Sequence, residues 1–182
     1  DYGEPDPVFF PDAELRKAMI AEKNSSIGLA KQVFAISNAV KAESPHARCQ
    51  VLPLANDHLA VWSPALAPRR LAVRAHLALA GKTVVLNVCR YHQAERHYKG
   101  IDNYLRVRDA LLQSNPQAAE NIVFVIAGRA VQADVEVMQR HGLRVFANMS
   151  EEELKDLYCA ADIYANFSRW EGYNLGIGQA LA

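Results

Sequence analysis

Thr83-Val-Val-Leu-Asn-Val88 and Ile122-Val-Phe-Val-Ile-Ala127 decide the fold. Each is a short, nearly continuous apolar run rich in β-branched residues. Between them the stretch from Asp102 to Gln113 has helical spacing. A strand buried on both faces followed by an amphipathic helix and a second such strand is the pattern of a parallel sheet covered on both sides. Working outward, further strands are expected at Val33-Phe-Ala-Ile-Ser37, Gln50-Val-Leu-Pro-Leu54, Leu143-Arg-Val-Phe-Ala147 and Ile163-Tyr-Ala-Asn-Phe167. Helices are expected over 12–23, 38–43, 71–80, 133–141 and 151–161. Ser150 followed by Glu151-Glu-Glu153 is a capping box that fixes one helix start. The predicted class is α/β, a doubly wound parallel sheet of the Rossmann-like kind. The stretch from Ala55 to Arg70, with Trp62, Pro64 and Pro68, has neither period and reads as a linker, so two domains are expected, 1–62 and 63–182.

Composition narrows the function. Twenty basic and twenty acidic residues among 182 give zero formal charge, without the basic excess that a nucleic-acid backbone requires. The longest apolar runs are far shorter than the roughly 20 residues a bilayer span needs. Cys49, Cys89 and Cys159 are an odd set with no C-x-x-C pair, which points to ordinary thiols in a reducing, cytoplasmic setting. His92 and His97 lack acidic or thiol partners at ligand spacing, so no metal is expected. Phosphate-loop, dinucleotide and nucleophile-elbow patterns are absent. The sequence starts and stops without helix or strand punctuation and is read as a piece of a longer chain.

In open parallel sheets ligands sit where strands lead into loops at their carboxyl ends. After Val88 come Cys89-Arg90 and then Lys99-Gly100, a guanidinium fork and an ammonium on one loop, suited to a diphosphate. On position alone they are equally a solvated surface pair. After Phe167 comes Ser168-Arg-Trp-Glu-Gly-Tyr-Asn-Leu-Gly176, where a glycine and a following helix start would bring backbone amides to an anion. Glu171 could accept sugar hydroxyls, or be the exposed residue of a turn beside Trp170.

As an ordered set these segments resemble the donor half of a retaining glycosyltransferase of the family-four type, with its two-domain GT-B fold. Lys31 to Lys41 with Val51 to Asp57 resembles the end of that family's acceptor domain. Val85 to Arg90 with Lys99-Gly100 resembles its Gly-Arg and Lys-Gly loop. Ser168-x-x-Glu171-Gly172-x-x-Leu175-x-x-x-Gln179-Ala180 is similar to its signature of two acidic residues eight apart. The resemblance implies that Arg90 and Lys99 hold the diphosphate of a nucleotide-sugar donor and Glu171 lies by the sugar. It further implies that Gly172, Tyr173, Asn174 and Leu175 contact sugar and phosphate, Gln179 meets the ribose, and Phe146 lies by the base. It implies a glycan or lipid-linked acceptor, no cofactor besides the donor, and no nucleic-acid partner. Peripheral association with the inner membrane face would run through segments outside this sequence. Oligomeric state is left open.

The sequence departs from the family pattern at Cys89 for glycine, Asn174 for glycine and Gln179 for the second glutamate. With early acceptor-domain strands and the last strand and helices lacking, this chain is expected not to turn over alone. Epimerases and glycan phosphorylases of the same fold, or a binding module without turnover, are the alternatives.

Overall fold

The computed structural model describes residues 5, 7, 10–44, 48–53, 59 and 68–182. The chain divides into two compact units, Asp1–Asn56 and Asp57–Ala182. That division and the one expected at 62/63 both fall outside the described residues, as does most of the expected linker.

The first unit contains helix α1 (Ala13–Gly28), strand β1 (Val33–Ala35), helix α2 (Asn38–Ala42) and strand β2 (Cys49–Val51). Asp12 caps α1, its carboxylate accepting from the Glu14 and Leu15 amides at 2.8 and 3.1 Å. The two strands pair in parallel, Val33 opposite Cys49, with α2 as the crossover.

The second unit is built on a four-stranded parallel sheet. Its elements are α3 (Arg70–His76), β3 (Thr83–Val88), α4 (Ile101–Ser114), α5 (Pro116–Ala119), β4 (Ile122–Gly128), α6 (Gln132–Arg140), β5 (Arg144–Ala147), α7 (Glu151–Ala160), β6 (Ile163–Tyr164) and α8 (Leu175–Leu181). The strand order is β5-β4-β3-β6, so the chain winds outward from β3 through β4 to β5 and then returns to the other side of β3. That reversal makes the sheet doubly wound, as expected, and places a topological switch point between β3 and β6.

The two-residue period of a strand sorts the core into two layers. Val85, Phe124 and Ile126 pack with Ile101, Tyr104 and Leu105 of α4 and Val135 and Met138 of α6. Val84, Leu86, Val125 and Ala127 face the opposite way, onto Val73 of α3 and Leu157 and Ala160 of α7. The capping box at α7 is present in both halves, Ser150 to the Glu153 amide and Glu153 back to the Ser150 amide. The expected strand to Phe167 stops at Tyr164, because the Asn87 side chain takes over the next rung of the ladder, its amide donating to the Ala165 carbonyl at 2.6 Å. The short helix α5 was not expected from the sequence.

At the amino end of the sheet Asp162 is a clasp. It pairs with Arg70 and Arg74 of α3 and accepts from the Val84 amide at 2.7 Å. Partial burial by itself would raise the Asp162 pKa, but the Val84 hydrogen bond and the two guanidiniums outweigh it and hold the carboxyl below its ordinary value of 3.8. A depressed native pKa stabilises the fold above the unfolded value and loses that contribution as pH falls through it. Urea titrations should therefore show an Asp162→Asn chain less stable than the parent at pH 7, with the gap narrowing as pH falls below 3.8.

Gly128 has φ +149°, and a Cβ there would lie 1.9 Å from the Cys89 carbonyl oxygen. Gly81, at φ +71°, has nothing within 4 Å. Gly128→Ala should cost more than about 3 kcal/mol by chemical denaturation, against about 1 kcal/mol for Gly81→Ala, which meets only the left-handed backbone penalty.

Candidate functional site

The carboxyl end of β3 is where three exit loops meet. Cys89 still pairs with β4, its amide donating to Ala127 at 3.0 Å, and Gly128 lies directly against the Cys89 carbonyl. Eleven residues on, Gly100 takes φ +66° as the residue preceding α4, and a Cβ on it would fall 1.8 Å from the Phe167 carbonyl oxygen. The Arg169 amide donates to Tyr98 at 3.0 Å. Two absent side chains and one backbone hydrogen bond thus bind the loop after β3 to the loops after β4 and β6.

That closure brings Lys99 and Glu171 together, while Arg90 pairs with Glu95 within the loop after β3. Lys99 Nζ meets Glu171 Oε1 at 2.9 Å, with the lysine side chain 13% exposed and the carboxylate 27%. Arg90, 64% exposed, meets Glu95 Oε1 at 3.2 Å through Nη2. Lys99 also lies 5.0 Å from the centre of the Tyr98 ring. An exposed pair of the Arg90 kind contributes at most about 1 kcal/mol, whereas the sheltered lysine would be costly to leave unpaired. Cys89 sits within the field of the group. Burial pushes its thiol up to about 12; Lys99 opposes the rise, and Glu171 and Glu95 add to it.

The remaining expected residues are placed differently. Asn174 caps α8, its side-chain oxygen accepting from the Ile177 amide at 3.1 Å, so one of the helix's free amides is already satisfied. Gly172 and Tyr173 form the half-buried bend that leads there, and Leu175 opens the helix half-exposed. Gln179 faces α7: the single Tyr158 hydroxyl proton is shared between its Oε1, at 3.2 Å, and the Gly176 carbonyl, at 3.4 Å. Tyr158 stacks on Tyr164 with centroids 5.6 Å apart, and a Cβ on Gly176 would lie 2.1 Å from the Tyr164 hydroxyl oxygen. α8 is therefore docked by a tyrosine pair that needs a glycine opposite.

Phe146 is not brought to the charged group. It lies on β5, with β4 standing between that strand and β3, and it packs on the α3 and α7 side with the Arg144 guanidinium 5.4 Å from its ring centre. It lines a concavity of about 400 Å³ with Asn148, Met149, Val73 and Leu77. A second concavity, about 730 Å³, lies along α4, α6 and β5. Neither includes Arg90, Lys99 or Glu171.

Two residues in this region, Asn87 and Glu95, escaped the sequence, and Asn148, the end of a loop expected by the base, has a structural part as well. Asn87, 2% exposed, parts β3 from β6, and its signal was a polar residue inside an otherwise apolar strand. Glu95 supplies the partner of Arg90. Asn148, at φ +55°, exchanges two hydrogen bonds with the Ala130 backbone, at 3.2 and 2.9 Å, tying the loops after β4 and β5 together. Among the described residues no cluster of three or more His, Cys, Asp or Glu could hold a metal ion, and no helix is long and apolar enough to cross a membrane.

No protein-family model matches the chain, and no curated protein matches it in sequence. Solved structures do. HepE of Anabaena, in complex with UDP and glucose, superposes with a TM-score of 0.64 at 21% identity, covering 93% of this chain and 46% of its own. A UDP-forming α,α-trehalose-phosphate synthase from Burkholderia xenovorans gives 0.65 at 12% identity, covering 98% and 48%. WaaG, a glycosyltransferase involved in lipopolysaccharide biosynthesis, gives 0.61 at 17% identity, covering 82% and 41%. The chain thus spans less than half the length of each of these. Its fold is that of the Rossmann-like domains of GT-B glycosyltransferases.

The thiolate is the reactive form of cysteine, and its population at pH 8 falls about a thousandfold when the pKa moves from 9.0 to about 12. A Cys49→Ser/Cys159→Ser chain, with Cys89 as its sole thiol, should react with a disulfide reagent at pH 8 far more slowly folded than in guanidinium.

Proposed function

We propose that the chain is the donor-binding portion of a retaining glycosyltransferase of the family-four type, moving a hexose from a nucleotide diphosphate sugar to a glycan or lipid-linked acceptor. The observation that carries this reading is the Lys99–Glu171 pair, 2.9 Å apart at the switch point of the sheet. A cation for phosphate and a carboxylate for sugar hydroxyls meet where a doubly wound sheet offers its ligand crevice. The UDP and glucose held by HepE support a donor of the same chemical class.

In this reading Arg90 and Lys99 take the two phosphates. Arg90 presents a fork and Lys99 a point charge, and together they offset the negative charge that grows on the leaving nucleotide as the glycosidic bond breaks. Glu171, released from Lys99 by the incoming phosphate, turns to the sugar hydroxyls. Backbone amides from Gly172 to Leu175 complete the sugar and phosphate contacts. Gln179, whose carbonyl already accepts from Tyr158, has its NH₂ group left for the ribose, a weaker partner for a diol than a carboxylate. Phe146 flanks the base. The donor is the only small molecule besides the acceptor that this chemistry calls for.

Gln179 also favours a second reading, a binding member of the same fold without turnover, because the second acidic residue of the signature is replaced by an amide engaged with α7.

Calorimetric titration with UDP, GDP, ADP and their sugar conjugates tests the donor site. One base should bind with micromolar affinity, about −8 kcal/mol, and an Arg90→Ala/Lys99→Ala chain should lose at least tenfold. Undiminished binding in the double variant would contradict the assignment. In the complete enzyme, sugar transfer to any acceptor would exclude the non-catalytic reading.

A further inference from the structure

Arg90 is not an open receptor for anions, because Glu95 already occupies one edge of its guanidinium at 3.2 Å. The backbone fixes this carboxylate. Glu95 ends the single 3-10 turn Gln93–Glu95, its amide donating to the His92 carbonyl at 2.9 Å and its own carbonyl accepting from the Lys99 amide at 2.8 Å. The turn that delivers Lys99 therefore also delivers Glu95. The second oxygen, Oε2, is buried and has no hydrogen-bond partner among the described residues. A carboxylate with one oxygen on an exposed arginine and the other unmet is a weakly held anion.

We propose that Glu95 is a built-in counter-ion, holding the anion face of Arg90 until a phosphate-bearing ligand displaces it and thereby setting the affinity of the site for anions. The proposal rests on the donor-site reading above. Arg90 and Lys99 against Glu95 and Glu171 give the group zero formal charge. A diphosphate must displace one carboxylate from each cation and then lie near both. The two pairs differ in shelter: Lys99 is 13% exposed and Arg90 is 64% exposed, so the Arg90 pair yields first. Glu95 thus keeps the cluster neutral when empty and lowers its affinity for small free anions.

The test is calorimetric titration of the full chain with inorganic pyrophosphate, comparing the parent with Glu95→Gln, Glu95→Gln/Arg90→Ala, and Glu120→Gln. The last removes the same charge from an exposed position outside the group. Glu95→Gln should bind about three- to tenfold more tightly, an advantage that shrinks as salt is raised. The gain should vanish with Arg90→Ala and be absent from Glu120→Gln. Glu95→Ala should show the same gain, and thermal melting reports that each variant is folded. Equal, measurable affinity in the parent and Glu95→Gln, or a gain shared by Glu120→Gln, would overturn the counter-ion role and leave the donor site standing. Pyrophosphate binding to neither the parent nor the Glu95 variants would overturn both.

Discussion

The charged group at the end of β3 depends on two places where backbone touches backbone. Gly128 lies against the Cys89 carbonyl and Gly100 against the Phe167 carbonyl, and neither position has room for a Cβ. Between them they press the loop after β3 against the segment that follows β6. Lys99 is then the immediate neighbour of Gly100, whose backbone meets Phe167, and Glu171 follows four residues after Phe167 on the other side. The switch point sets where the exit loops meet; the glycines decide which side chains stand there.

Electrostatics explains why Lys99 and Arg90 each have a carboxylate partner. A lysine 13% exposed is poorly hydrated, and a sheltered cation is costly to leave without a partner. Glu171 removes that penalty, while Glu95 does the same, less tightly, for Arg90. The arrangement keeps cations preorganised at the end of a rigid strand without a large unbalanced field. Cys89 lies within the field as a neutral thiol, since burial holds its pKa well above the ordinary value. After the Glu171 loop, α8 is held by stacked tyrosines and a glycine rather than by charge.

Much of the sheet was legible in the sequence because local signals agreed: apolar β-branched runs, helical spacing between them, and the Ser150 capping box. The meeting of Lys99 with Glu171 was anticipated only as a shared ligand, not as a direct bond. What the sequence hid were partners set by tertiary placement. Tyr158 and Gln179 stand on different helices, and nothing local in either residue's surroundings announces that they meet. Glu95 is not singled out by the sequence because a 3-10 turn leaves no period to read. β6 ended early because one buried side chain, Asn87, replaced a backbone donor, a substitution invisible to strand propensity. Phe146 kept its expected strand, yet the sheet order puts it beyond β4 from the charged group.

The most direct measurement is a crystal structure of the chain soaked with the nucleotide diphosphate sugar that binds it. The account predicts phosphate oxygens on Lys99 Nζ and the Arg90 guanidinium, with the Lys99–Glu171 and Arg90–Glu95 pairs both broken and Glu171 turned to a sugar hydroxyl. A ligand whose phosphates lie away from both Arg90 and Lys99, or one bound while both ion pairs stay closed, would contradict it.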